Sequence, residues 1–231
     1  MPDDFSALEN DNSYPKGLKI FTQYVLIPLM TIYLAILLVY EVKIILIWSL
    51  PNGIVSSLIL GYAVFGVLSL LLIHPIKAMP GNGWMRLFSK FFYLMMIPLV
   101  ILLILAITKR IGNYGITEPR FVLIVLAIWL TGITIYFLLN KRQNIKVIPI
   151  SLCLLALGIT YGPQSATSIS RSSQKVRLAK LMKSKDIKDV KERSSVVRYL
   201  VANHGLVSLQ QFTSVDLVAV DAKIKSKSMK R

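Results

Sequence analysis

Long apolar runs separated by short polar segments make up most of the first 160 residues of the chain. A helix needs about 20 apolar residues to cross the hydrocarbon core of a bilayer. Backbone polar groups in lipid must be paired within their own segment, and no alternating pattern of barrel strands is present, so we expect helices. We predict membrane-spanning helices over residues 18–42, 53–74, 91–108, 121–139 and 147–161, the fifth being the shortest.

The pattern divides the chain into an acidic, flexible N-terminal segment (1–17), a transmembrane helical domain (18–162) and a basic tail (163–231). The predicted fold is therefore all-α: an integral membrane bundle of about five transmembrane helices, then a basic amphipathic helix and a short helical piece. The first 14 residues include four acids, Asp3, Asp4, Glu9 and Asp11, where a signal peptide would be positively charged, so we expect no cleaved leader.

Composition agrees with a membrane location. Apolar residues make up 55% of the chain, mean hydropathy is +0.62, and charged residues make up 16%, against about 25% in soluble domains. Of the 27 Lys and Arg, 15 follow residue 162, where five acids lie. The single cysteine, Cys153, lies in an apolar run and excludes an intrachain disulfide.

Three predicted helices share an Ile-Pro step, at Pro28, Pro98 and Pro149. An interior proline removes a backbone donor and bends a helix. The freed carbonyls could bind an ion or substrate, as in transporters, or neighbouring helices could repair the lost bond. Pro149 lies so near its helix start that it can simply begin the helix.

The segment 110–121, RIGNYGITEPRF, separates the third and fourth predicted spans. Asn113-Tyr114-Gly115 is typical of a tight turn. Thr117 can cap the next helix, with Glu118 and Pro119 in its first turn. Arg120 can reach back to Glu118 or to lipid phosphate. These residues predict the corner of a helix hairpin, and they need no catalytic role to explain them.

Several motifs resemble one bacterial membrane family, domain of unknown function 4153. They are Tyr24-x3-Pro28-Leu29, Leu50-Pro51-x-Gly53, His74-Pro75, Arg110-Ile111-x2-Tyr114-Gly115-Ile116-Thr117-x2-Arg120, Trp129-Leu130, Pro149-Ile150-Ser151, Gly162-Pro163 and Ser170-Arg171-Ser172-Ser173-Gln174. The resemblance covers roughly residues 14 to 210 and implies a polytopic inner-membrane protein without implying an activity. Members usually begin with further membrane helices, so this chain corresponds to their C-terminal portion, and we expect such helices or a partner membrane protein beside it.

No set of residues specifies a reaction. Glu41 is the one acid within the predicted spans, and with Lys43 it lies near a helix end, where interfacial snorkelling explains it. A proton-coupled pump confined to this chain is therefore not expected. His74 and His204 are the two histidines, too few for a zinc site. Phosphate-loop, hydrolase and metalloprotease motifs are missing, so we predict no catalytic residues, cofactor or metal.

The tail carries the densest charge. Six bases accompany Val176, Leu178, Leu181 and Met182, namely Arg171, Lys175, Arg177, Lys180, Lys183 and Lys185. This composition favours a helix lying on anionic headgroups. Nucleic-acid binding is the rival interpretation, which the missing binding motif and aromatics disfavour. Further on, Val197, Leu200, Val201 and His204 follow helical spacing, with Gly205 placed to end the helix. So short a piece should dock on the membrane domain or a partner.

Two functions follow from these patterns. The first is a non-enzymatic inner-membrane protein that acts as a membrane-anchored interaction or regulatory module. The alternative is a component of a transporter or channel. This function is consistent with the three prolines and with the hydroxyl residues Ser56, Ser57, Thr131 and Thr134, although helix packing explains those hydroxyls equally well. Lys and Arg residues near the ends of the predicted spans are equally numerous on the two sides of the membrane, so they do not set its orientation. Only the attraction of the basic tail to anionic lipid favours a cytosolic C-terminus.

Overall fold

The computed structural model describes residues 15–47, 54–74, 83–140, 144–183 and 187–228. Regular structure in these ranges is helical, without a strand, so the predicted all-α class is confirmed. The helices are α1 (Lys16–Phe21), a π-turn (Thr22–Leu26), α2 (Ile27–Ile47), α3 (Ile54–Ile73), α4 (Gly83–Tyr114), α5 (Glu118–Leu139), α6 (Val147–Thr160), α7 (Ala166–Lys183), α8 (Ile187–His204), a 3-10 helix (Leu206–Phe212) and α9 (Leu217–Ser228).

Some predictions fall outside the described residues. They concern most of the acidic N-terminal segment, the Leu50-Pro51-x-Gly53 motif, Pro75 and the tail base Lys185.

Four helical stretches are long and apolar enough to cross a membrane: Gly17–Ile47, Val55–Ile73, Gly83–Tyr114 and Glu118–Leu139. They indicate a multi-pass membrane protein. The helix α4 extends well beyond its predicted range of 91–108, because charged residues continue it at both ends. The helix α6 has 14 residues, about 21 Å at 1.5 Å per residue. It is shorter than the span length, and a fifth crossing stays a prediction.

The helices form two compact units. Unit 1 comprises residues 1–107 and 126–149, and unit 2 comprises 108–125 and 150–231. Unit 2 therefore contains both the predicted hairpin corner and the basic tail.

The prolines of unit 1 affect their helices differently. The ring of Pro28 would clash with the carbonyl of Tyr24 in a regular helix, and the π-turn Thr22–Leu26 widens the backbone just before it. Pro98 lies inside α4 without interrupting it. Pro149 is the third residue of α6, where no intrahelical donor is required, so it has the helix-starting position that the sequence suggested.

Aromatic rings connect four helices of unit 1. Ring centroids are 5.9 Å apart for Tyr33 and Tyr62, 5.3 Å for Tyr62 and Phe92, and 5.0 Å for Tyr93 and Phe137. Tyr62, Phe92 and Tyr93 are buried. Such pairs contribute about 0.5–1.5 kcal/mol each beyond area burial. This aromatic row is the most specific packing feature of unit 1.

The core of unit 2 lies between α7 and α8. Leu178, Val196 and Leu200 are buried there, and Leu181, Val197, Leu209 and Phe212 pack around them. Leu200 belongs to the predicted apolar stripe of α8, whereas Val201 of the same stripe is partly exposed. Gly205 has φ 77° and donates its N–H to the carbonyl of Val201 at 3.1 Å. The predicted glycine end of α8 is therefore confirmed.

Gly66 on α3 should be intolerant of any side chain. A Cβ at this position would overlap with Cε2 of the buried Phe92 ring. We expect Gly66→Ala to reduce stability by about 1–3 kcal/mol, the usual cost of overpacking, measured as a lower thermal midpoint of the detergent-solubilised chain. The matched control is Gly132→Ala on α5, where a Cβ meets nothing within 4 Å. Equal midpoints for the two variants would contradict the packing of Phe92 against Gly66.

Candidate functional site

The predicted hairpin corner is present between α4 and α5. Tyr114 ends α4, residues 115–117 are non-helical, and Glu118 begins α5. Gly115 has φ 69°, and its N–H donates to the carbonyl of Ile111 at 2.9 Å. Thr117 directly precedes α5, and its carbonyl accepts from the N–H of Phe121 at 2.9 Å. The glycine turn and the position of Thr117 directly before α5 are thus as the sequence predicted.

The helix α7 supplies the hydrogen bonds that the corner backbone lacks. Nε2 of Gln174 donates to the carbonyls of Tyr114 at 3.2 Å and Ile116 at 2.9 Å. The hydroxyl of Ser173 accepts from the N–H of Ile116 at 3.0 Å. Gln174 is buried, so its amide would be costly without these partners. The corner and α7 are therefore bound together by specific backbone recognition.

Gly115 is required for this approach. A Cβ there would lie 3.0 Å from Nε2 of Gln174 and 3.4 Å from Cδ of Arg177. The positive φ is itself unfavourable for residues with a side chain. Both the turn and the contact with α7 thus depend on glycine.

Tyr199 of α8 connects the corner to α7. Its hydroxyl accepts from the N–H of Glu118 at 3.2 Å and lies 2.9 Å from the buried hydroxyl of Ser170. The N–H of Glu118 is in the first turn of α5, where no helical carbonyl is available to it. Tyr199 therefore supplies the hydrogen-bond acceptor for the N–H of Glu118 at the start of α5, although the two residues are 81 positions apart in the sequence.

Two arginines satisfy the carbonyl end of α4. Nη1 of Arg120 donates to the carbonyls of Tyr114 at 3.2 Å and Gly115 at 2.8 Å. Nη2 of Arg177 donates to the carbonyl of Asn113 at 2.9 Å and forms an ion pair with Glu192 at 2.6 Å. Cations are favoured at helix C-termini. The possibility that Arg120 binds Glu118 is replaced here by its contacts with backbone carbonyls.

The six tail bases differ in their surroundings. The side chain of Arg177 is 16% exposed and has intramolecular partners, so only its remaining donors are available for the predicted headgroup contact. Arg171, Lys180 and Lys183 are exposed, and Lys175 is half-buried. Headgroup contact by these four residues stays a prediction.

His204 lies at the end of α8, and its imidazole ring is buried. Its side chain is 1% exposed, and neither ring nitrogen has a hydrogen-bond partner in the described part of the chain. Nδ1 lies 4.0 Å from Oε1 of Glu118, and the ring contacts Tyr199 edge-on. Burial lowers the pKa of His204, with Arg171 and Lys175 adding to the effect and Glu118 opposing it.

Sequence reasoning found the corner residues and the Ser170–Gln174 motif separately. It missed that Ser173 and Gln174 bind Ile116 and Tyr114, and it assigned no role to Tyr199. The one available signal was that both motifs belong to the same family resemblance.

Among the described residues, no three His, Cys, Asp or Glu side chains form a metal-binding group. The side chain of Glu41 is buried within α2.

We expect Gly115→Ala to weaken the contact between the corner and α7. The left-handed conformation alone costs about 1–2 kcal/mol for a residue with a side chain, and the close contact with Gln174 adds to this. Hydrogen exchange in α7 and α8 of the full chain should increase. Gly112→Ala is the control, because it is on α4 with nothing within 4 Å of its Cβ. Unchanged protection in Gly115→Ala would show that the contact does not depend on this glycine.

Acid should destabilise unit 2 through His204. Because the folded pKa lies below the ordinary 6.5, the unfolded chain binds more protons in this range. The contribution of neutral His204 is therefore complete above pH 6.5 and is lost as the pH falls toward the folded pKa. Thermal midpoints from pH 8 to 5 should fall more for the native chain than for His204→Leu, which cannot titrate. Parallel curves would exclude His204 as the source.

The comparisons with known proteins agree with the resemblance of the motifs. The model of the family described as Domain of unknown function (DUF4153) matches residues 2–180. An uncharacterized protein of Pasteurella multocida (strain Pm70) is 29% identical over 182 residues, which cover 77% of this chain and 30% of the relative. The chain thus spans less than a third of the length of this curated relative. No solved structure matches.

The family match includes the corner and α7 through residue 180, so the contacting Gly115, Ser173 and Gln174 all lie within it. The match covers well over half of the chain, and the chain belongs to the DUF4153 family.

Proposed function

We propose that this protein is a non-enzymatic inner-membrane protein whose C-terminal unit is a membrane-anchored interaction or regulatory module at the anionic lipid surface. The observation that carries the proposal is the binding of α7 to the corner between two candidate spans through Ser173 and Gln174. A basic helix held in this way has a fixed face left for another ligand.

The two faces of α7 differ in chemistry. Ser170, Gln174 and Leu178 are buried and follow one another at four-residue spacing. Val176, Lys180 and Lys183 follow i, i+4, i+7 spacing on the opposite side, and all three are exposed, Val176 by 55%. We call these three residues the basic face. An exposed valine on the same helix face as two lysines is suited to a ligand surface that is both anionic and partly apolar.

Electrostatics favours lipid as the ligand. Each base near an anionic membrane contributes about 1 kcal/mol, and Arg171 and Lys175 add further positive charge to α7. The described part of α7 has no acid or aromatic residue. The missing aromatics disfavour nucleic acid, which would use stacking side chains.

A role in transport has less support. The hydroxyls of Thr31, Ser69 and Thr131 donate to carbonyls four residues earlier in their own helices, as packing hydroxyls do. The π-turn and the buried Glu41 are the features that a transporter or channel component would use. Exposed apolar residues along α2, among them Leu29, Ile32 and Ile36, would contact lipid or the helices of a partner membrane protein.

The basic face can be tested in nanodiscs with a fluorescent label. In a Cys153→Ser background, Val176→Cys carries an environment-sensitive fluorophore. We expect its emission to shift to the blue in discs containing phosphatidylglycerol relative to phosphatidylcholine discs, because the lysines hold the label in the headgroup layer. The variant Lys180→Gln/Lys183→Gln should lose the shift.

The matched control removes two exposed bases of α8, Lys191→Gln/Arg198→Gln, and should retain the shift. The same emission in both lipids, or an equal loss in both double variants, would contradict surface binding by the basic face.

A further inference from the structure

Two arginines from different helices lie at the ring of Tyr114, and a third arginine lies one helical turn before it. The guanidinium carbons of Arg120 and Arg177 lie 5.5 Å and 5.7 Å from the ring centroid. Arg110 is one turn before Tyr114 on α4 and interacts electrostatically with Arg120. Tyr114 is 52% exposed. We call Arg110, Tyr114, Arg120 and Arg177 the arginine cluster, in which the tyrosine is exposed and the three arginines are half-buried.

The contacts within the chain account for only part of this charge. Arg120 uses Nη1 on the carbonyls of Tyr114 and Gly115, and Arg177 uses Nη2 on Asn113 and Glu192. Each guanidinium has five N–H donors, so donors remain on both. In the described part of the chain, the guanidinium of Arg110 has neither a hydrogen bond nor an ion pair, and Glu192 is the one carboxylate in an ion pair with the cluster.

The positive charges of the three arginines repel one another, and an anion bound among them would reduce this repulsion. Capping the end of α4 explains Arg120 and Arg177, but it does not explain Arg110. The exposed ring of Tyr114 holds two of the guanidinium groups by cation–π contacts, which leaves their remaining donors able to bind a ligand.

We propose that the arginine cluster binds a phosphate group. Guanidinium groups bind phosphate through paired N–H donors, and a tetrahedral anion offers oxygens to arginines that approach from three elements. The position favours a lipid headgroup as the source, since the corner joins two candidate spans. The 32 residues of α4 extend about 48 Å, beyond the roughly 30 Å of hydrocarbon. The cluster shares no residue with the basic face, so its function is independent of that surface.

The discriminating variant is Arg110→Gln, because Arg110 takes no part in capping α4. The thermal midpoint of the full chain in detergent is followed with increasing inorganic phosphate at constant ionic strength. We expect phosphate to raise the midpoint of the native chain. In Arg110→Gln the midpoint without phosphate should equal or exceed that of the native chain, because the change removes the repulsion between Arg110 and Arg120. The phosphate concentration needed for the rise should increase about tenfold or more.

The matched control is Lys109→Gln, which removes one exposed charge from the neighbouring position and should respond as the native chain does. No rise in the native chain, or the same rise in Arg110→Gln, would overturn the proposal. An equal loss in Lys109→Gln would also overturn it, since that result indicates nonspecific screening.

A second titration identifies the source of the phosphate. Short-chain phosphatidic acid, compared with short-chain phosphatidylcholine, replaces the inorganic ion. A rise at concentrations at least tenfold lower than those of inorganic phosphate assigns the cluster to a lipid headgroup, whereas equal concentrations assign it to the free ion. Because Lys180→Gln/Lys183→Gln leaves the cluster intact, a normal phosphate response in that variant separates failure of the basic face from failure of the cluster.

Discussion

The turn from α4 to α5 exposes backbone groups that cannot be satisfied within a helix, and the structure of unit 2 depends on meeting that requirement. The last carbonyls of α4 and the first N–H groups of α5 need outside partners. Gln174, Arg120 and Arg177 donate to the carbonyls, while Ser173 and Tyr199 accept from N–H groups. The partners come from α5, α7 and α8, so one backbone requirement brings the unit together.

This requirement explains why small changes near the corner should have large effects. Buried Gln174 and Ser170 gain their partners only when Tyr114, Ile116 and Tyr199 are in place. A buried polar group without a partner costs about 1–3 kcal/mol. The apolar core of Leu178, Val196 and Leu200 is small, so polar contacts have a large share in holding α7 and α8 in register. Specific hydrogen bonds therefore replace some of the stability that a larger core would supply.

The sequence predicted those features that arise from solvent and local backbone chemistry. Lipid requires long apolar helices, so four of the five predicted spans correspond to candidate membrane-spanning helices. The length of α4 was underestimated because Arg86, Lys90, Lys109 and Arg110 continue the helix beyond the hydrocarbon length. Gly115 and Gly205 were placed correctly, because positive φ has a local chemical signature. Tyr199 and Gln174 could not be predicted, because their partners lie 58 to 81 residues away. Charge alone also did not distinguish Arg177, which binds within the chain, from Lys180, which is exposed.

The charged residues of unit 2 have opposing effects: some stabilise contacts between helices, and others oppose the protonation of His204. Arg177 is shared between the carbonyl end of α4, Glu192 and the ring of Tyr114, so it serves both the fold and the arginine cluster. Arg171 and Lys175 act against protonation of His204, and Glu118 acts for it. The bases that oppose protonation of His204 therefore differ from the arginines around Tyr114, so each group of cations acts on its own part of unit 2.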